Sequence, residues 1–345
     1  MSRRSPQARG PLPQPVQEPA PGDVLDPPAG VDYAGVLTGP WQSPVRPAVG
    51  ILVGISLYVL MAQLVAQLVV GAGWWLAGRP ETWSRWSADA LKYHHLAGLV
   101  GSHLGIAMLI PITLLLGWLL HHRAPRWAAS VQPGMRWRYL LLCLPIAAVV
   151  LNGIVLLGRI GTPWAPQPQP DLALWFAVVC LTAPLQAAGE EYFFRGYLTQ
   201  AFGALADGWQ RISGVRRRIE PRWAGVVFSA LLFAFFHGVQ NLALFTDRFA
   251  FGLLAGALVV WTGGLEAGIA CHVVNNIFAF GWAGLFGGFA QARALQSIGW
   301  AQAASDVVGF ALFAALAWWL SRLLNLATRT PGAGGRDLAL ARAVR

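Results

Sequence analysis

Residues 172–202 read LALWFAVVCLTAPLQAAGEEYFFRGYLTQAF. The stretch opens as an apolar run close to the roughly 20 residues that a bilayer-spanning helix needs. Its second half then carries Glu190, Glu191 and Arg195. An ionised side chain at the bilayer centre costs at least ~2.5–3.5 kcal/mol on insertion scales, so three of them in one span need a reason. Helical spacing supplies part of it. Glu191 and Arg195 are four residues apart on one face, acid before base, which is the favourable order for an ion pair. Glu190 points about 100° away and is left without a partner in its own helix. A carboxylate in that position suits general acid–base chemistry.

The remaining sequence sets this stretch in context. Of the 345 residues, 56% are hydrophobic and 12% charged, and the mean hydropathy is +0.51. A soluble domain is about 45–50% apolar and about 25% charged. The composition excludes a wholly disordered chain and argues against an ordinary soluble enzyme. It predicts an all-α fold, a polytopic transmembrane helix bundle. Apolar runs place about eight spans, over 48–73, 97–120, 138–158, 173–199, 223–243, 249–263, 266–286 and 304–325, the sixth short and the fourth long. Trp74, Trp75, Trp118, Trp137, Trp261, Trp318 and Trp319 fall near span ends, where an interfacial aromatic belt belongs. No repeat of fixed period is visible.

Residues 1–46 hold ten of the 23 prolines and show no apolar periodicity, so they are expected to form a disordered cytoplasmic tail. The Arg3-Arg4 pair is followed by prolines rather than by an apolar segment, which argues against a twin-arginine export signal. Residues 47–326 then form the membrane domain and 327–345 a short basic tail. The net charge is +10, almost all of it from arginine. With the N-terminus inside, 18 of the 25 cations fall on the tails and the even-numbered connections and 6 on the odd ones, Arg195 lying within a span. The positive-inside rule then puts both termini in the cytoplasm and the chain in the cytoplasmic (inner) membrane. The run Arg216–Arg218 is read as part of this topology signal, and no nucleic-acid partner is expected. Cys143, Cys180 and Cys271 lie in apolar runs with no CxxC spacing, so neither a disulfide framework nor a zinc finger is expected.

Two further spans carry polar residues that lipid should exclude. Residues 225–241 read GVVFSALLFAFFHGVQN, with His237 one turn beyond Phe233 on the same face. Residues 268–280 read GIACHVVNNIFAF, with His272 and Asn276 four apart and Asn275 facing the side of Cys271. Singly, such a histidine is compatible with packing, and such a His–Asn pair with inter-helix hydrogen bonding. Together, a Glu, a His and a His–Asn pair on three nearby helices match the way bundles build sites from inward-facing side chains.

The set Glu190-Glu191-x-x-x-Arg195, Phe233-x-x-x-His237 and His272-x-x-x-Asn276 resembles the three signature motifs of the CPBP family. These are the CAAX-processing and bacteriocin-processing intramembrane endopeptidases, the Abi or Rce1-like proteases. The resemblance covers roughly 172–286 and includes all three motifs in order. It implies a hydrolase, a protease working inside the membrane on a membrane-associated peptide or protein tail. Glu190 would be the general base, and His237 would orient or polarise the attacking water. His272 and Asn276 would donate to the oxyanion of the tetrahedral intermediate, and Glu191 and Arg195 would brace the site. Glu190, His237 and His272 also make a His2Glu set compatible with catalytic zinc. The lack of HExxH, and ligands drawn from three separate helices, favour a metal-free glutamate mechanism, so no cofactor is expected. Two other readings stay open: an inactive membrane binding or immunity-type protein on the same scaffold, and a proton-coupled transporter using Glu190 and His237 as a relay.

Overall fold

Inside a bilayer no water is available to the backbone, so a spanning chain must close its hydrogen bonds within helices or within a sealed barrel. The computed structural model describes residues 20, 23–39, 42–213 and 220–332. These residues form ten helices and no strand. In chain order they are α1 (Val45–Leu76), α2 (Trp83–Leu91), α3 (Leu96–Leu120), α4 (Trp137–Gly158) and α5 (Leu172–Ser213). They continue as α6 (Pro221–Phe235), α7 (Leu242–Thr262), α8 (Glu266–Phe286), α9 (Phe289–Arg293) and α10 (Trp300–Leu323). Seven of them, α1, α3, α4, α5, α7, α8 and α10, are long and apolar enough to cross a membrane. Large apolar side chains on their outer faces stay open, Val149 and Leu181 each at 74% exposure, as lipid-facing residues do.

The short span is not the expected one. The sequence places the short helix at 249–263, whereas α7 has 21 residues and α6 only 15. The reason is local chemistry between them. Gly238 adopts φ +79°, a left-handed conformation that stops a helix, and the Asn241 side chain accepts from the Leu244 amide at 3.0 Å to start the next. Arg248, counted from sequence among the connecting residues, therefore lies in the second turn of α7.

The connections segregate to two ends of the bundle. At one end Leu25 N bonds His122 O (2.8 Å), Val131 N bonds Gly263 O (2.8 Å) and Thr330 N bonds Val31 O (2.9 Å). Arg136 there holds the buried Glu266 at 2.6 Å. At the other end Gln167 N bonds Leu285 O (2.8 Å), Asn241 N bonds Gln296 O (2.8 Å) and the Arg293 guanidinium lies 5.5 Å from the Tyr93 ring centre. The short α6 starts at the first end, where Pro221 lies against Gly203, and finishes at the other, so the described residues cross the bundle eight times, seven of them on helices long enough to span a membrane.

Part of the proline-rich N-terminal stretch is held in place. The Arg123 guanidinium donates to Val36 O (2.8 Å), Asp26 O (2.9 Å) and Thr38 O (2.7 Å). The Asp26 carboxylate accepts from Arg126 and from the Trp127 indole, both at 2.9 Å. Tyr33 is fully buried and its hydroxyl donates to Ala128 O. Backbone carbonyls of an extended segment are free acceptors, and one planar guanidinium fork satisfies several at once. A composition count over 1–46 does not see this. Residues 1–19, with Arg3 and Arg4, the run Arg216–Arg218 and residues 333–345 lie outside the described residues.

Candidate active site

α5 carries the acidic end of the site. Its α-helical ladder gives way to a π-helical stretch over Glu191–Leu198, a local widening often found at functional sites. The Phe194 carbonyl, released from the regular ladder, accepts from Thr199 Oγ1 at 3.1 Å and from the Ser229 hydroxyl of α6. The widened turn sits deep in the core, with Phe193, Phe194 and Tyr197 buried around it.

From this frame a chain of polar contacts links two helices, α5 and α8. Asn276 Nδ2 of α8 donates to Gln186 Oε1 of α5 at 2.7 Å. Gln186 Nε2 donates to Glu190 Oε2 at 2.8 Å. Glu190 Oε2 faces His272 Nε2 of α8 at 3.2 Å, and His272 Nδ1 meets Glu191 Oε1 at 2.8 Å. The same Glu191 oxygen lies 3.2 Å from Arg195 Nη1. Glu190, Glu191, Arg195, His272 and Gln186 are all buried, and Asn276 and His237 are half-buried. The other Glu191 oxygen abuts Gly268, where a Cβ would come within 2.8 Å of it. That position admits only glycine without moving the carboxylate.

Arg195 is held mostly by aromatic faces. Its guanidinium lies 3.8 Å from the Phe233 ring centre and 5.0 Å from that of Phe251, and it makes no well-aligned hydrogen bond. A desolvated cation–π contact of this kind is worth about 2 kcal/mol. Phe233 also packs 4.5 Å from the His237 ring and 6.0 Å from the His272 ring, so it joins all three motifs physically. His237 Nδ1 donates to Phe233 O at 2.7 Å, which fixes the ring and leaves Nε2 for another partner.

The structure thus brings Glu190, Glu191, Arg195, His272 and Asn276 into one connected network, with His237 beside it behind Phe233. Among the described residues no direct hydrogen bond or ion pair joins His237 to Glu190. Two expectations change. Glu190 does have a partner in its own helix, Gln186, one turn earlier. Asn275 turns to Asn276 Oδ1, at 3.3 Å, rather than to the side of Cys271. Gln186 and Phe233 are the residues whose part is not evident from sequence. Gln186 carried a usable signal, since it lies at i−4 from Glu190 and is polar in an apolar run. Phe233 is marked in the sequence only as the first residue of the Phe233-x-x-x-His237 motif, and its contact with the Arg195 guanidinium is not readable there.

Among the described residues no three His, Cys, Asp or Glu side chains converge to hold a metal. His237 is turned to a backbone carbonyl, and both nitrogens of His272 are engaged by carboxylates.

Comparison with known proteins finds the uncharacterized protein YyaK of Bacillus subtilis (strain 168), 25% identical over 196 residues. That match spans 55% of this chain and 62% of the relative's length. No solved structure matches the chain. Every side chain of the network lies inside residues 169–278, and that segment matches the family model described as type II CAAX prenyl endopeptidase, Rce1-like.

Proposed function

We propose that the protein is an intramembrane endopeptidase that hydrolyses a peptide bond in a membrane-associated peptide or protein tail. One observation carries the reading: a buried carboxylate, Glu190, faces a histidine from another helix while an amide pair, Gln186 and Asn276, lines up behind it. Amide hydrolysis needs a base, a positioned water and donors for the oxyanion. Glu190 takes the proton of the attacking water, and His237 Nε2 orients that water. His272 and Asn276 donate to the oxyanion as it forms. To do so His272 carries a proton on each nitrogen: Nδ1 stays on Glu191, and Nε2 turns from Glu190 to the oxyanion once Glu190 has taken the proton of the water. Asn276 is released toward the oxyanion when its amide leaves Gln186. Glu191 and Arg195 keep His272 in register. No step is routed through a metal.

The arginine-rich end of the bundle, with residues 23–39 and 327–332, faces the cytoplasm in this reading, in the inner membrane. The test is cleavage of membrane-anchored peptides by the purified protein and by Glu190→Gln, each with and without EDTA. Cleavage by the wild type in EDTA and none by Glu190→Gln supports the reading. Cleavage lost to EDTA and restored by zinc replaces the metal-free mechanism. Proton flux in proteoliposomes without any cleavage replaces the endopeptidase by the transporter.

A further inference from the structure

The C-terminus of α6 ends in carbonyls that need donors. Phe233 O receives His237 Nδ1 at 2.7 Å, and its neighbour Ala234 O receives Gln240 Nε2 at 2.6 Å. Gln240 Oε1 in turn accepts from Arg248 Nη1 of α7 at 2.7 Å. Two consecutive carbonyls therefore set His237 and, through Gln240, Arg248 side by side. Capping α6 explains His237 and Gln240. It does not require Arg248.

Arg248 is half-buried in an apolar helix, and among the described residues its hydrogen-bond partner is a neutral amide and it makes no ion pair. An arginine at membrane depth normally has a counter-charge. The charged groups within its electrostatic reach are Asp247, its chain neighbour, and Glu190 and His237 of the site. Asp306 of α10 lies within electrostatic reach of Asp247. With one Nη held by Gln240, the rest of the guanidinium fork is free to take a planar, bidentate carboxylate. A carboxylate arriving next to Glu190 and Glu191 would be repelled unless a cation received it.

We propose that Arg248, braced by Gln240, binds a carboxylate of the substrate beside the scissile bond. The proposal rests on the endopeptidase reading for the word substrate, but its test does not need turnover. The full-length Glu190→Gln protein in detergent is titrated with dansyl-Leu-Val-Leu bearing a free C-terminus and with its C-terminal amide, followed by fluorescence anisotropy. The acid is expected to bind at least tenfold tighter than the amide. In Glu190→Gln/Arg248→Gln the acid falls to the affinity of the amide, and the amide's unchanged affinity is the control for folding. Arg248→Lys recovers part of the difference, since it keeps charge and loses the fork. Dansyl-Leu-Asp-Leu amide separates the two sources. Preference for it equal to that for the acid means a side-chain carboxylate serves, and its absence means the chain terminus is read. Equal binding of acid and amide, binding of neither, or an acid preference that survives Arg248→Gln overturns the proposal. A carboxylate preference in a wild type that cleaves nothing overturns the endopeptidase reading alone.

Discussion

His272 holds two carboxylates at once, with Glu191 on Nδ1 at 2.8 Å and Glu190 on Nε2 at 3.2 Å. The two acids nevertheless have separable work. Glu190→Gln keeps the shape and the contact to Gln186 but removes the base, so turnover should fall by about 10²–10⁴-fold with the unfolding temperature near the wild type. Glu191→Gln instead strands Arg195, whose guanidinium otherwise lies against the Phe233 and Phe251 rings. Breaking a buried pair from one side costs about 3–5 kcal/mol, so thermal stability should drop along with activity. Equal melting of the two variants with activity lost in both would place Glu191 at the reacting atoms. Asn276→Ala removes a donor needed only as the oxyanion forms. Its kcat should fall by roughly 10²–10³-fold with KM little changed, measured by steady-state cleavage of one peptide. A variant with unchanged rate and stability would reduce Asn276 to packing against Gln186.

At the scale of elements, the turn between α6 and α7 positions both His237 and Gln240, and Gly238 at φ +79° makes it possible. A Cβ in that conformation costs about 1–2 kcal/mol. Gly238→Ala should lower the unfolding temperature and slow turnover together, and Gly238→Asn should recover part of both, because Asn tolerates the left-handed region. If Gly238→Ala turns over and melts like the wild type, the turn does not set His237. The same turn shows how far the sequence could be read. Glu190, His237, His272 and Asn276 stood out because charge and amide groups are costly in apolar helices, and that cost is visible residue by residue. The break at Gly238 is masked by the apolar residues that resume on both sides of His237–Asn241, so the fifth and sixth spans differ in length from those expected. The π-helical stretch over Glu191–Leu198 was hidden too; its Phe194 carbonyl takes hydroxyl donors from Thr199 of the same helix and from Ser229 of α6. Periodicity carries no record of such contacts, nor of Phe233 lying under Arg195.

At the scale of the whole molecule, the described connections sort into two ends, and Arg123 ties residues 23–39 to one of them. The clasp around Arg123 was not legible in the sequence, because it uses backbone carbonyls. In right-side-out cells, a cysteine at Arg293→Cys should react with an impermeant maleimide and one at Arg329→Cys should react only after lysis. The reverse pattern would turn the bundle over and put the arginine-rich end outside. The central claim is that Glu190 makes this protein an endopeptidase. Its most direct test is mass spectrometry of protein N- and C-termini in membrane and secreted fractions from cells carrying either the wild type or Glu190→Gln at equal expression. The account predicts a defined set of termini present with the wild type and absent with Glu190→Gln. Identical termini in the two strains would contradict it.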